Sequence, residues 1–370
     1  MAGGNFGEDM VIGILDTGIW PESESFQDKG MAPVPDRWRG ACESGAEFNS
    51  SLCNRKLIGA RSFSKALKQR GLNISTPDDY DSPRDFYGHG THTSSTAAGS
   101  PVADANYFGY AKGTATGIAP KARLAMYKVL FYNDTYESAA SDTLAGIDQA
   151  IADGVDLMSL SLGWKLWPHG YTIFNGAPWI TTIGAGTIDR DYAADVSLGN
   201  GILNIRGKSV YPDDLLISQV PLYFGHGNRS KELCEDNAID QKDAAGKIVF
   251  CDFSESGGIQ SDEMERVGAA GAIFSTDSGI FLSPSDFYMP FVAVSPKDGD
   301  LVKDYIIKSE NPVVDIKFQI TVLGAKPAPM VAWFSSRGPS RRAPMILKPD
   351  ILAPGVDILA AWAPTEELHQ

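Results

Sequence analysis

The stretch Met10-Val11-Ile12-Gly13-Ile14-Leu15, followed by Asp16-Thr17-Gly18, indicates the class of fold. Its first six residues form a short, continuous apolar run, which is typical of a strand buried on both faces of a parallel sheet. Because α/β folds place functional side chains at the carboxyl ends of such strands, Asp16 is a candidate functional carboxylate. A lone Asp-x-Gly is more often only a turn, so this triplet does not assign a function by itself.

A β-α-β pattern extends outward from this stretch. Arg123–Leu130 and Val155–Leu162 have the same buried-strand character, and Ser138–Asp153 between them has the periodicity of an amphipathic helix. The apolar residues of that helix at helical spacing are Leu144, Ile147 and Ile151. A further strand is predicted over Trp179–Gly184. The pattern predicts a parallel sheet covered by helices.

The character of the chain changes near Ile202. Short β-like runs then alternate with only two helical stretches, which indicates a β-rich α+β insert. The segment Ala325-Lys326-Pro327-Ala328-Pro329 closes the insert as a stiff linker. We therefore predict a first domain over residues 1–201, an inserted domain over 202–324, and a return into the first domain over 325–370.

Composition excludes several classes of partner. The chain has 370 residues, is 43% hydrophobic and carries a net charge of −14, which argues against a nucleic-acid or anionic-membrane surface. No stretch approaches the roughly 20 apolar residues of a membrane span. The segment Met1–Asp9 has neither the basic nor the apolar region of a secretion signal. We expect no nucleic-acid partner, no membrane partner and no signal peptide in this chain.

Cysteines and glycosylation motifs indicate an oxidising compartment. Cys42 with Cys53 and Cys234 with Cys251 each bracket a short polar loop, and neither pair has the C-x-x-C spacing of a zinc or redox site. Two local disulfides are therefore predicted. N-glycosylation triplets begin at Asn49, Asn73, Asn133 and Asn228, although such triplets also arise by chance.

The run Gly88–Gly99 places His89 between two glycines at a predicted helix start. A buried aspartate that binds an imidazole fixes its tautomer and stabilises the imidazolium, as in a Ser-His-Asp relay. If Asp16 and His89 form such a relay, their side chains lie within about 2.6–3.2 Å of each other. Structural histidines, or a metal pair of His89 with His92, are the alternatives. No Glu lies between these histidines as in H-E-x-x-H, so no metal or other cofactor is predicted.

A third candidate feature is the end of the strand predicted over Val155–Leu162. Ser161, Leu162 and Gly163 close this strand with mostly small side chains. Such a segment leaves a backbone edge with which an extended peptide can pair. We therefore predict that these three residues are a substrate-binding edge.

Together these segments resemble the subtilisin-like serine proteases, and specifically the plant subtilase group. The stretches that carry the resemblance cover nearly the whole chain and are Ile12–Ser23, Cys53–Arg61, Gly88–Gly99, Val155–Gly163, Ala177–Ala185, Phe334–Pro339 and Leu347–Gly355. The resemblance implies an α/β fold, with an incomplete subtilisin-like parallel sheet flanked by helices and interrupted by a β-rich α+β protease-associated (PA) domain. It also implies that Asp16 and His89 are the aspartate and histidine of the catalytic triad.

The family resemblance carries further expectations. Relatives are secreted endopeptidases of the cell wall or apoplast that act on peptide or protein substrates, and the PA domain implies possible self-association. Cys234 and Cys251 match the position of a cysteine pair in that domain.

Two motifs of the family are missing from this sequence. The Gly-Thr-Ser-Met motif of the nucleophile follows an Ile-Leu-Ala-Ala-Trp segment in relatives. That segment is Ile358–Trp362 here, yet Gly-Thr-Ser occurs nowhere. The asparagine that donates to the oxyanion is expected between Gly163 and Ala177, where no Ala-Gly-Asn is found. Asn175 corresponds to a downstream position. We therefore assign neither a catalytic serine nor an oxyanion asparagine, and expect this chain as given to be inactive.

Two competing functions remain open. Asp16-Thr17-Gly18 and Asp277-Ser278-Gly279 are the two triplets that an aspartic protease needs, although the β-α-β pattern disfavours that fold. The other alternative is a non-catalytic interaction module that acts through the PA domain, or a pseudo-protease fragment. A serine-reactive phosphonate probe distinguishes an enzyme from a module.

Overall fold

The computed structural model describes residues 5–163, 173, 175–201, 205–252, 257–276, 289–340 and 343–364. The chain divides into two compact units. The first comprises Met1–Ala105, Gly113–Ala177 and Ile358–Gln370, and the second comprises Asn106–Lys112 and Pro178–Asp357. Within the described ranges, no helix is both long enough and apolar enough to cross a membrane.

The first unit is built on a parallel sheet. Strands from the first part of the chain are β1 (Val11–Asp16), β2 (Leu57–Ser62), β3 (Val102–Tyr107), β4 (Tyr110–Ala115), β5 (Arg123–Lys128) and β6 (Leu157–Leu160). Its helices are α1 (Lys65–Gln69), α2 (His89–Ala98) and α3 (Tyr136–Asp153). Four strands form the sheet in the order β2-β5-β1-β6, and all their pairings are parallel. The strands β3 and β4 form a separate two-stranded sheet.

The apolar runs explain the centre of this sheet. Every residue of β1 and of β5 is buried, as expected for strands covered on both faces. Their register places Asp16 opposite Lys128 at the carboxyl ends of the two strands. The parallel sheet predicted from the sequence is confirmed. The strand predicted over Trp179–Gly184 lies slightly later in the chain, at Ile183–Gly186.

The helix α3 is present as predicted, but of its predicted apolar stripe only Ile147 packs against the core, and it is partly buried. Leu144 and Ile151 are more than 60% exposed. The buried residues are mostly small, and they are Ser138, Ala139, Asp142, Gly146, Ala150 and Asp153. A Cβ atom on Gly146 would lie 2.7 Å from Val129. The helix therefore approaches the sheet so closely that bulky side chains have no room on that face.

The second unit contains a closed barrel. The strands of this unit are β7 (Ile183–Gly186), β8 (Arg190–Leu198), β9 (Ile205–Lys208), β10 (Leu216–Tyr223), β11 (Ile248–Cys251), β12 (Gly271–Ser275), β13 (Phe291–Val294), β14 (Val313–Leu323) and β15 (Ile351–Pro354). Its helices are α4 (Arg229–Glu232), α5 (Gln241–Ala244), α6 (Gly257–Val267) and α7 (Pro296–Lys308). Seven strands close the barrel in the order β10-β11-β12-β13-β9-β8-β14. A buried cluster that includes Val196, Phe250 and Ile316 forms a hydrophobic core.

The limits of this unit differ from the predicted domain boundaries. The strand β8 pairs with β14, with Arg190 opposite Leu323 at one end and Leu198 opposite Val314 at the other. It also pairs with β9. The barrel therefore begins before residue 202, the predicted start of the insert. The segment after residue 325 also remains with the second unit up to Asp357, because β15 pairs in parallel with β7.

Candidate active site

Asp16 and His89 are brought together by the ends of two elements. Asp16 is the last residue of β1 and is fully buried, whereas His89 is the first residue of α2 and has a side chain 39% exposed. The imidazole Nδ1 lies 2.6 Å from the Asp16 Oδ1 atom. This separation is within the range expected from the sequence. The rest of the imidazole is partly accessible to solvent.

The Asp16 carboxylate is held by two further donors. The Thr17 backbone N–H donates to Oδ1 at 2.8 Å, and the Thr93 hydroxyl donates to Oδ2 at 3.0 Å. A carboxylate so engaged accepts a hydrogen bond from the imidazole, which places the proton on Nδ1 of His89. In that tautomer the other ring nitrogen, Nε2, is the atom able to accept a proton.

The two histidines of the motif differ in their electrostatics. The hydrogen bond to Asp16 raises the pKa of His89 above its ordinary value; burial opposes this, and the charges of Asp16 and Asp85 reinforce it. For His92, burial lowers the pKa. The His92 Nε2 atom lies 2.9 Å from the Ile358 carbonyl oxygen. His92 therefore holds a neighbouring segment, and it is His89 that is coupled to the buried carboxylate.

Two glycines flank His89 because the chain has no room for side chains there. Gly88 has a φ of +97°, and a Cβ atom on it would lie 2.4 Å from the Trp362 indole. A Cβ atom on Gly90 would lie 2.1 Å from the Gly18 carbonyl oxygen. Gly90 is thus required by the close approach of α2 to the chain that leaves β1, and Gly88 by its left-handed φ and its contact with Trp362.

The predicted substrate edge lies at the margin of the sheet. Ser161, Leu162 and Gly163 directly follow β6, which is one of the two edge strands of the four-stranded order. The Asn175 side-chain amide donates to the Leu162 carbonyl oxygen at 2.9 Å. Neither Asp16 nor His89 hydrogen bonds to these three residues. Most of the interval from Trp164 to Gly176 lies outside the described residues, as does Asp277-Ser278-Gly279.

Sequence reasoning missed two residues of the site, Thr93 and Asp85. Thr93 lies one turn after His89 on α2 and contacts Asp16 as described above. Asp85 lies four residues before His89, is fully buried and receives hydrogen bonds from the first turn of α2. A carboxylate shortly before a helix start is the signal that identifies such a residue, because helix N-terminal N–H groups require acceptors.

The structure contains both predicted disulfides, Cys42–Cys53 and Cys234–Cys251. The four asparagines of the glycosylation motifs are all exposed, and they are Asn49, Asn73, Asn133 and Asn228. Among the residues whose placement is described, no group of three or more His, Cys, Asp or Glu side chains could hold a metal ion.

The first unit is thus an α/β fold in which a buried aspartate at a strand end is hydrogen bonded to a histidine at a helix start. Residues 7–369 match the family model described as Peptidase_S8, Subtilase family. The chain therefore belongs to the subtilase family.

Curated relatives agree with this assignment. The chain is 42% identical over 390 residues to Subtilisin-like protease SBT1.7 of Arabidopsis thaliana, covering 96% of this chain and 51% of that protein. It is 41% identical over 390 residues to Subtilisin-like protease SBT3 of Solanum lycopersicum, covering 97% and 50%. It is 40% identical over 397 residues to the CO(2)-response secreted protease of Arabidopsis thaliana, covering 96% and 50%. The chain thus spans about half the length of the curated relatives it matches.

Proposed function

We propose that Asp16 and His89 are the acid–base pair of a subtilisin-like serine endopeptidase. The observation that carries this proposal is the 2.6 Å hydrogen bond between a fully buried carboxylate and a partly exposed imidazole. In this role His89 Nε2 accepts the proton of a serine hydroxyl as that hydroxyl attacks the scissile carbonyl, and then returns the proton to the leaving amine. Asp16 keeps the imidazole in the required tautomer and stabilises the imidazolium.

The nucleophile is not assigned to any residue of this chain, because no Gly-Thr-Ser sequence is present. We therefore propose that the 370-residue chain on its own holds two of three triad members and does not turn over peptides. The substrate of the intact site is an extended peptide. Its backbone would lie along Ser161, Leu162 and Gly163, and the position of β6 at the sheet edge supports this placement.

We further propose that the barrel of the second unit is the PA domain of the family. Its closed strand order, separate core and internal Cys234–Cys251 disulfide are those of a self-contained inserted domain. An extracellular location of the protein is supported by the two disulfides, by the four exposed glycosylation motifs and by the printed name of one relative, which calls that protein secreted.

Two measurements test the acid–base proposal. The first is a proton NMR spectrum, in which we expect a strongly deshielded His89 Nδ1 proton that disappears in Asp16→Asn. Absence of this signal from the folded wild-type chain would contradict the pairing. The second combines peptide hydrolysis with labelling by a serine-reactive phosphonate, and we expect neither for the 370-residue chain. Labelling that is lost in His89→Ala would show that another hydroxyl of this chain acts as the nucleophile.

A second function, as a non-catalytic interaction module, is favoured by the closure of the barrel, which needs no strand from outside the second unit. A specific partner captured by the chain, together with silence toward the phosphonate probe, would support this function. The same partner should still bind after His89→Ala.

A further inference from the structure

Asp85 is a buried carboxylate with a full set of donors and, within the described part of the chain, no ion pair. Its side chain is 0% exposed. Oδ1 accepts from the Gly88 N–H at 2.9 Å and from the Thr17 hydroxyl at 3.0 Å. Oδ2 accepts from the N–H of Thr91 at 2.9 Å and from its hydroxyl at 2.6 Å. None of the ion pairs formed by the described part of the chain includes Asp85, so backbone and hydroxyl donors compensate its charge.

These donors identify Asp85 as the acceptor for the start of α2. Gly88 precedes the helix and has no side chain with which to cap it. The first N–H groups of a helix have no partner within the helix, and their positive end favours a negative charge. Asp85 supplies that acceptor from outside the helix, directly before the turn that carries His89.

Asp85 also joins α2 to the end of β1. The Thr17 hydroxyl donates to Asp85 and at the same time accepts from the Gly90 N–H at 2.8 Å. Thr17 is the neighbour of Asp16 in the chain, and Gly90 is the neighbour of His89. The Thr17 hydroxyl is therefore hydrogen bonded both to Asp85 and to the backbone of Gly90. It joins the chain next to Asp16 to the chain next to His89.

The backbone around Asp85 adds to this link. The Asp85 N–H donates to the Ile19 carbonyl oxygen at 3.2 Å, and the Ile19 N–H donates to the Pro83 carbonyl oxygen at 3.0 Å. The loop that carries Asp85 is thus paired with the chain that leaves β1. A displacement of Asp85 would change the position of α2 relative to the end of β1.

We propose that Asp85 is a positioning residue that fastens the first turn of α2 to the end of β1 and thereby holds the His89 imidazole against Asp16. This inference rests on the proposed function for its catalytic meaning, although the geometry stands without it. The charge of Asp85 has a second effect, because it adds to that of Asp16 in favouring the imidazolium form of His89. A further ionisable group near His89 is His92, one turn along α2, and burial lowers its pKa.

The test measures the titration midpoint of His89 in the full 370-residue chain. The midpoint is read from the NMR signals of the carbon-bound imidazole protons. The chain has five histidines, and His89→Ala assigns the signal. We expect Asp85→Asn to lower the His89 titration midpoint and to weaken the deshielded Nδ1 signal. The matched control is Asp142→Asn. Asp142 is also buried and accepts from the N–H groups of Ala66 and Leu67 at the start of α1.

The control separates positioning from general stability. Asp142→Asn should lower the stability of the fold and leave the His89 midpoint unchanged. An unchanged midpoint in folded Asp85→Asn, or an equal shift in both variants, would overturn the proposal. If Asp85→Asn does not fold, Thr17→Val tests the proposal instead. It removes the hydroxyl that binds Asp85 and Gly90, and it leaves all charges in place.

Thr17→Val should weaken the deshielded Nδ1 signal, and an unaltered signal in that variant would overturn the proposal. These measurements need no nucleophile. A wild-type chain without the deshielded signal would contradict the proposed acid–base pair, whereas a wild-type signal that Asp85→Asn leaves intact would contradict only the role of Asp85.

Discussion

Lys128 lies directly opposite Asp16 in the register of β5 and β1, yet its ammonium group binds Asp79. The Nζ atom donates to Asp79 Oδ1 at 2.5 Å and to the carbonyl oxygens of Tyr80 and Arg84 at 3.2 and 2.9 Å. All the donors of this buried cation are thereby used on the loop that leads to Asp85. Among the described residues, Asp16 forms no ion pair with a lysine or an arginine, and it accepts from the His89 imidazole instead.

This arrangement predicts a large effect of Lys128→Met. The lysine side chain is 0% exposed, and its removal would leave Asp79 as a charge with little access to water. Breaking a buried ion pair from one side lowers stability by about 3–5 kcal/mol. Denaturant unfolding measures this loss, and the double variant with Asp79→Asn should recover part of it.

The control is Lys68→Met. Lys68 and Asp81 form an exposed pair with side chains 48% and 40% accessible, and such pairs contribute only about 0–1 kcal/mol. Equal losses in the two lysine variants would contradict the structural role of Lys128.

A second prediction concerns pH. The pKa of His89 is raised in the folded chain by the bond to Asp16, relative to the ordinary value of 6.5. A raised folded-state pKa gives a stabilisation that is fully present below the unfolded-state pKa and is lost as pH rises through the folded-state pKa. The stability difference between wild type and His89→Ala should therefore be greatest on the acid side of about pH 6.5 and shrink as pH rises above it.

The opposite slope is expected for His92. Burial lowers its pKa, so its contribution is present at high pH and is lost as pH falls. Unfolding titrations of wild type, His89→Ala and His92→Ala compare the two directions in one fold. Parallel profiles for the two alanine variants would contradict the assignment of different roles.

A third prediction uses the glycine before the helix. Gly88→Ala should destabilise the first unit, because it combines a left-handed φ with a Cβ atom 2.4 Å from the Trp362 indole. Gly30→Ala is the matched control, since Gly30 has a φ of +79° and no atom within 4 Å of an added Cβ. Thermal unfolding should show a clearly larger loss for Gly88→Ala. A loss of stability no larger than that of Gly30→Ala would contradict this prediction, because it would show that the Trp362 indole moves aside without destabilising the fold.

The fourth prediction concerns the covalent framework of the barrel. Replacing Cys234 and Cys251 by serine opens a loop with a sequence separation of 17. Disulfides of this loop length stabilise by about 3 kcal/mol, chiefly through the unfolded chain. Calorimetry of the oxidised chain and of the double serine variant measures the difference. Peptide mapping without reductant should recover Cys234–Cys251 and Cys42–Cys53, and crossed pairs would contradict the structure.

The pairing of Asp16 with His89 was predictable from sequence because both residues stand at element ends whose positions are set by simple patterns. A continuous apolar run places Asp16 at the carboxyl end of a buried strand, and two glycines mark His89 at a helix start. The sequence contains no comparable sign of Thr17, Asp85 and Thr93 acting together. Their hydroxyl and carboxylate groups meet only after α2 is placed against β1.

The misplaced features have physical reasons as well. Of the predicted stripe on α3, Ile147 packs against the core but Leu144 and Ile151 are exposed, because close packing on the sheet favoured Gly146 and its small neighbours over apolar size. The β-rich insert is predicted from sequence to begin at residue 202, whereas β8 (Arg190–Leu198) already belongs to the barrel. Its pairing with β14, which is more than a hundred residues away, and with β9 assigns β8 to the barrel.

The closure of the barrel limits how the second unit can meet another molecule. An open sheet offers unpaired N–H and C=O groups at its margins, and another chain can extend the sheet there. In the barrel β14 pairs with both β8 and β10, so the ring of strands has no such margin. Self-association through the barrel would therefore use side chains and loops, and its specificity would be open to change by surface substitutions that leave the backbone ladder intact.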